Sequence, residues 1–247
     1  MKACVIIPAR FSSTRYPGKP LVKLLGKPMI LIVAEISAKA VGKNNVFIAT
    51  EDEEIYNLAE SAGFSALMTS KNALTGTDRV AEASKKLNYD IYINVQGDEP
   101  LIDHNDIKKC IELKFKNQDY VINGFTSISK NEDPNSKHIP KVVTNEKNIL
   151  VYMSRKLIPG FKSIKKKPNY FKKQVCIYGF NKFDLKKYFN YGRKSLLESN
   201  EDIEILRFLE LDTKILMYEC KDNSSAVDVP EDVPKVENLL RERYENR

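Results

Sequence analysis

Apolar runs alternate with amphipathic stretches through the first half of the chain, and this alternation limits the fold more than any other feature. Residues 3–7, 46–50, 65–68 and 90–95 read as buried strands. Residues 28–41, 52–62, about 77–87 and 103–116 read as helices. Pro28 lies in the first turn of one helix, Gly42 follows its last turn, and Gly63 stops the next. Strand followed by helix, repeated, requires crossover connections. It predicts an α/β fold with a mostly parallel, Rossmann-like sheet covered by helices on both faces. Such sheets bind ligands beyond the carboxyl ends of their strands. The loops at 8–20, 69–77 and 96–102 all start there, so their polar residues should converge.

The pattern changes after about residue 120. Residues 120–127, 141–144, 149–153 and 175–180 read as strands with fewer helices between them. A helix at 201–211, a strand at 215–219 and a helix from Pro230 follow. A single domain over 1–247 accommodates this pattern. Residues 1–125 would form its nucleotide-binding half, 126–225 a smaller β-rich lobe, and 226–247 a carboxylate-bearing segment with a C-terminal helix.

Several function classes are disfavoured by composition. At 42% hydrophobic residues the chain can build a sizeable core, yet no apolar run approaches the roughly 20 residues that span a bilayer. The start lacks a signal-peptide pattern, and the four cysteines, Cys4, Cys110, Cys176 and Cys220, form no CxxC pair. A cytoplasmic protein with reduced thiols is expected. With only His104 and His138 present, histidine-based zinc is disfavoured. The net charge of +7 fits a polyanionic partner, nucleic acid or nucleotide. Lys162, Lys165, Lys166, Lys167, Lys172 and Lys173 cluster in one segment, which a solvated loop would also explain. Aromatic residues do not interleave with these cations as a single-strand platform requires, so nucleic acid is not an expected partner.

Four segments carry chemistry. Residues 8–20 place Arg10, Arg15 and Lys19, with Ser12, Ser13, Thr14 and Gly18, between a buried strand and a helix, an arrangement suited to phosphate. In Gln96-Gly97-Asp98-Glu99-Pro100, Asp98 follows a strand end and a turn-forming glycine. Asp228, in Ala226-Val227-Asp228-Val229-Pro230, follows a predicted strand and precedes a helix. Each aspartate could equally be a turn or cap residue. Together with the cations, the pair suits metal-assisted nucleotidyl transfer. Thr75-Gly76-Thr77-Asp78-Arg79 opens a helix with free N–H groups. Neither a Walker A motif nor a GxGxxG loop is present.

Jointly, Pro8-Ala9-Arg10, Ser13-Thr14-Arg15, Pro17-Gly18-Lys19-Pro20-Leu21, Gly26-Lys27-Pro28-Met29, the 75–79 and 94–100 segments, and Val227-Asp228-Val229-Pro230-Glu231-Asp232 resemble the 3-deoxy-manno-octulosonate cytidylyltransferase (CMP-Kdo synthetase) family. Lys141-Val142-Val143, Tyr152-Met153-Ser154-Arg155 and Ile177-Tyr178-Gly179-Phe180 are weaker matches. The resemblance implies a Mg²⁺-dependent homodimer that transfers CMP from CTP to an acidic sugar for lipopolysaccharide or capsule synthesis. It implies that Arg10, Arg15, Lys19 and Asp98 are catalytic. Pro8, Ala9, Arg10, Ser13, Arg15, Lys19, Ser70, Gly76, Thr77 and Asp78 would bind nucleotide. Asp98 and Asp228 would bind metal. Gln96, Tyr178, Lys173, Gln174, Glu201 and Glu204 would face the acceptor. Three places depart from the family pattern: Gly160-Phe161-Lys162 replaces an aromatic-Asp-Arg segment, Lys173-Gln174 an Arg-His pair, and Leu206–Glu210 a Leu-Glu-Gln-Leu-Arg run. These departures predict that Kdo is a poor acceptor and that another acid is used.

Overall fold

The computed structural model describes residues 1–12, 16–130, 132–221 and 225–245. Ser13 and Arg15 therefore lie outside the described residues.

The central strands form where β-branched and aliphatic residues run without interruption, and their side chains on both faces are buried. They are β1 (Ala3–Ala9), β4 (Val46–Thr50) and β6 (Ile91–Val95), with β5 (Ser65–Met68) at the sheet edge and less buried. β1 pairs in parallel with β4 and with β6, and β4 with β5. Between them run α1 (Met29–Val41), α2 (Glu53–Ser61) and α3 (Gly76–Ser84), and α4 (His104–Lys116) follows β6. The side chains of Asp52, Thr75 and Asp103 cap α2, α3 and α4. A two-stranded hairpin, β2 (Lys23–Leu24) with β3 (Lys27–Pro28), leads into α1.

The sheet continues through the second half. Its order is β11-β7-β10-β6-β1-β4-β5, with β7 (Val121–Ser127), β10 (Lys172–Phe180) and β11 (Ile215–Glu219). β11 runs parallel to β7, whereas β10 runs antiparallel to both β6 and β7. The expected mostly parallel α/β sheet is thus present with one reversed central strand. β8 (Lys141–Thr144) pairs antiparallel with β10 and with β9 (Leu150–Ser154), an antiparallel extension of the same sheet, to which β10 and β11 also belong. Two apolar cores cover the two sheet faces. One includes Val5, Ile7, Ile30 and Ile93, and the other Ile6, Tyr92, Phe180 and Phe208.

Four expectations need correction. The single helix at 201–211 is instead α6 (Leu196–Glu201) and α7 (Leu206–Glu210). Asp202 breaks it with a left-handed φ of 50°. An additional helix, α5 (Lys182–Asn190), follows β10 and is opened by an Asn181–Asp184 capping box. Residues 225–227, directly before Asp228, form no strand. Val227 instead donates its N–H to the Asp98 carbonyl at 3.0 Å, and α8 (Asp232–Glu245) follows. The expected lysine cluster is also divided. Lys162, Lys165, Lys166 and Lys167 are exposed, while Lys172 and Lys173 belong to β10.

Candidate active site

A cleft of about 660 Å³ opens at the carboxyl ends of β1 and β6. Its floor follows from three local choices. Pro8 and Ala9 end β1 and deliver Arg10 to the rim. Gly18, at φ 69°, donates its N–H to the Phe11 carbonyl at 2.9 Å and folds the loop back, so that Lys19 points inward. The turn after β6 brings in Gln96 and Asp98. The Val227–Asp98 backbone bond then places Asp228 beside it.

Lys19 is the centre of this constellation. Its ammonium lies 2.5 Å from Asp98 Oδ2 and 3.6 Å from Asp228 Oδ1, with the lysine side chain only 14% exposed. Two aspartates from distant segments, 130 positions apart in sequence numbering (228 minus 98), therefore converge on one positive charge. Hard carboxylate oxygens in this arrangement suit a small divalent cation such as Mg²⁺. Among the described residues no group of three or more His, Cys, Asp or Glu side chains forms a metal cluster.

A second wall is the N-terminus of α3. Glu204 accepts from the Gly76 N–H at 3.0 Å and the Thr77 N–H at 2.7 Å. A Cβ on residue 76 would stand 2.8 Å from Gln96 Nε2 and 3.2 Å from Glu204 Oε1, so a larger residue would push these two side-chain ends aside. Burial pushes the Glu204 carboxyl upward against the pull of those N–H donors. Arg79 also lines the cleft. It pairs with Glu51 at 2.5 Å and donates to Thr69 Oγ1.

Alternation along β10 aims Gln174, Cys176 and Tyr178 into the cleft. Their positions are set by an irregularity in the β10–β7 register between Val175 and Tyr178. Asn123 donates to the Val175 and Ile177 carbonyls at 3.0 and 2.9 Å, and Gln174 donates to Asn123 Oδ1 at 3.1 Å. Burial, with Glu99 and Asp98 nearby, holds the Cys176 thiol well above its ordinary value, so a neutral thiol faces the cleft. Lys173 pairs with Glu132 at 2.5 Å. Burial raises the Glu132 carboxyl, but Lys173 and the Ser129 N–H outweigh it, and the net shift is downward.

Of the described expected residues, Pro8, Ala9, Arg10, Lys19, Gly76, Gln96, Asp98, Lys173, Gln174, Tyr178, Glu204 and Asp228 line this one cleft. Four others point elsewhere. Ser70 is on the surface, with its N–H on Glu82. Thr77 is 2% exposed and its hydroxyl accepts from Asn94. Asp78 is 6% exposed, and both of its oxygens accept from Arg207 at 2.8 and 3.0 Å. Glu201 accepts from the Ser154 hydroxyl and the Arg155 N–H, away from the cleft. Sequence reasoning missed Arg79, Arg155 and Glu132. Arg79 and Arg155 closed motifs already noted, whereas Glu132 carried no local signal.

The departures from the family pattern also look different in three dimensions. Residues 160–162 do not line the cleft. Read three positions earlier, Ile203-Glu204-Ile205-Leu206-Arg207 matches Leu-Glu-Gln-Leu-Arg at Glu, Leu and Arg. The structure supports that register, because Glu204 and Arg207 hold the α3 start. Lys173-Gln174 remains as the departure inside the cleft.

The sequence model of the cytidylyltransferase family matches residues 4–215. This chain belongs to the cytidylyltransferase family. Similar sequences include the mitochondrial 3-deoxy-manno-octulosonate cytidylyltransferase of Arabidopsis thaliana, 37% identical over 96% of this chain and 83% of that protein. The 8-amino-3,8-dideoxy-manno-octulosonate cytidylyltransferase of Shewanella amazonensis is 36% identical over 98% of this chain and 99% of that one. Among solved structures, CMP:2-keto-3-deoxy-manno-octonic acid synthetase complexed with CTP superimposes with a TM-score of 0.89. It is 33% identical, covering 98% of this chain and all of the other. Among the described residues of this cytidylyltransferase, no helix is long and apolar enough to cross a membrane.

Proposed function

We propose that this protein transfers CMP from CTP to a 3-deoxy-octulosonic acid, Kdo or its 8-amino derivative, and releases pyrophosphate. The observation that carries the reading is the meeting of Asp98 and Asp228 on Lys19, beside the β1 loop and the α3 N-terminus. The near full-length similarity to 3-deoxy- and 8-amino-octulosonate cytidylyltransferases, and to a synthetase complexed with CTP, supports the choice of substrates.

In this reading Arg10 and Lys19 face the triphosphate, and their positive charge favours departure of pyrophosphate. Asp98 and Asp228 hold Mg²⁺. Bound there, Mg²⁺ supplies charge neutralisation at the phosphates and acidifies the acceptor hydroxyl. Ala9, Gly76 and Arg79 lie on the side where the nucleoside would sit. Gln96, beside Gly76, together with Tyr178 and Gln174, orients the sugar so that its hydroxyl approaches the α-phosphorus in line with the leaving oxygen. Lys173 offers the sugar acid a cation, with Glu132 fixing its position. The acceptor-facing lobe is also proposed to join two copies into a homodimer. β9 exposes Val151, 56% accessible, on that lobe. A cytoplasmic place in lipopolysaccharide or capsule synthesis accords with the proposed product.

The nucleotide half can be tested by melting. CTP with Mg²⁺ at 100 times its Kd should raise Tm by about 5–10 °C, from about 2.7 kcal/mol of linkage in a domain of this size. ATP, GTP and UTP should shift it less. Stabilisation by ATP without stabilisation by CTP contradicts the assignment.

A further inference from the structure

Lys141 is fully buried, with 0% exposure, yet it forms no ion pair among the described residues. Its ammonium donates instead to two neutral carbonyl oxygens, that of Ser136 at 2.8 Å and that of Arg155 at 2.5 Å. Ser136 belongs to the loop between β7 and β8, which carries Glu132, Asp133 and His138 to the cleft. Arg155 follows β9 and itself lines the cleft. Its guanidinium donates to the carbonyls of Lys137 at 2.9 Å, Glu201 at 2.6 Å and Asp202 at 2.9 Å. Two cations, both held on backbone carbonyls, therefore fasten the loop, the β9 end and the α6 terminus to one another.

A buried ammonium without a carboxylate is costly, because burial removes its hydration and neutral acceptors return only part of it. Burial and the neighbouring Arg155 charge both pull the Lys141 ammonium below its ordinary value, although Glu201 and Asp133 oppose them. Apolar packing could hold two strands together without this cost. A side chain of this kind is explained by what it fixes in place. Here that is a loop of mostly polar residues with no regular structure, which by itself would open locally at low cost.

We propose that Lys141 is a positioning residue for the acceptor: by cross-linking the Ser136 and Arg155 carbonyls it fixes the wall formed by Glu132, Asp133, His138 and Arg155. The proposal rests on the assignment of this end of the cleft to the acceptor. Lys141 touches no reacting atom and does not contact the CTP end, where Arg10, Lys19 and Gly76 lie. Its loss should therefore separate the two substrates kinetically.

The test compares wild type, Lys141→Met and Lys141→Arg in full-length protein. Pyrophosphate release is measured with CTP and Kdo, and with CTP and 8-amino-Kdo. Deuterium uptake over residues 128–140 is measured in parallel. Lys141→Met should raise KM for the preferred acid by about tenfold or more, the scale of a lost charge-assisted bond. KM for CTP and the CTP-induced Tm shift should stay within about twofold. Deuterium uptake should rise in the loop and not in β1 or β6. Lys141→Arg, which keeps the donors, should recover most of the acceptor KM. Parallel loss of both substrates with exchange rising throughout would make Lys141 an ordinary structural residue, and unchanged acceptor KM and loop exchange would also overturn the proposal. If Lys141→Met does not fold, Lys141→Gln, whose amide keeps two N–H donors without the charge, is judged by the same split. Should wild type turn over neither acid, the proposed function fails. Loop exchange then decides separately whether the clamp exists.

Discussion

Asp98→Asn is expected to lower the rate of CMP transfer by about a hundredfold or more, and Asp228→Asn to do the same, at saturating Mg²⁺ and CTP. Losses on this scale follow from removing a principal electrostatic element of a phosphoryl-transfer site. Each substitution keeps the shape of the side chain and removes its charge, so a turn or cap role would survive it in large part. The two carboxylate side chains are 27% and 24% exposed, so neither change opens the core. The melting temperature should stay within a few degrees, while Lys19 loses one of two neighbouring negative charges. The discriminating comparison is kcat against Tm for each variant. Near-normal kcat in either one would show that its aspartate only terminates a turn.

Arg207→Met should cost about 3–5 kcal/mol of stability, which corresponds to a fall in Tm of about 6–20 °C for a chain of this length. Arg207 is fully buried and donates to both oxygens of Glu198, each at 2.7 Å, and to both oxygens of Asp78. Its guanidinium also lies 3.8 Å from the Tyr188 ring centre. Burial alone would pull the guanidinium down, yet Glu198 and Asp78 hold it above its ordinary value. Removing it leaves two carboxylates buried together without a cation, which costs far more than the pair contributed. Arg207→Lys should recover only part of the loss, because an ammonium cannot reproduce the planar fork. Differential scanning calorimetry reads the effect directly. A change below about 1 kcal/mol would mean that the network relaxes without it. Because Asp78 lies in the first turn of α3, the same network sets the position of Gly76. Activity should therefore fall in Arg207→Met even below its melting temperature.

The nucleotide half of the cleft was legible because local signals and topology agree there. Strand, glycine-bearing loop and helix recur, and the sheet rule places every such loop at one edge. The acceptor half depends on contacts that sequence spacing does not encode. Asn123 fixes the β10 irregularity from a neighbouring strand. Glu132 reaches Lys173 across 41 positions. Asp78 reads as a cleft residue because its motif faces the cleft, but the helical turn that aims the Gly76 N–H at Glu204 directs the Asp78 side chain to Arg207. The broken helix at 201–211 was hidden because Asp202 takes a left-handed conformation that few non-glycine residues adopt. The α5 start carries a readable signal in Asn181 and Asp184, which the apolar pattern of the strands around it masks.

The central claim is that CMP passes from CTP to an octulosonic acid in this cleft. Its most direct test is continuous measurement of pyrophosphate release with CTP and Mg²⁺, adding Kdo or 8-amino-Kdo. At least one of these acids should support kcat/KM of about 10⁴ M⁻¹s⁻¹ or more, in the ordinary enzyme range. The CMP-sugar should form in equal amount to pyrophosphate, and ATP should not replace CTP. Absence of pyrophosphate with both acids, from protein that CTP still stabilises, would contradict the account.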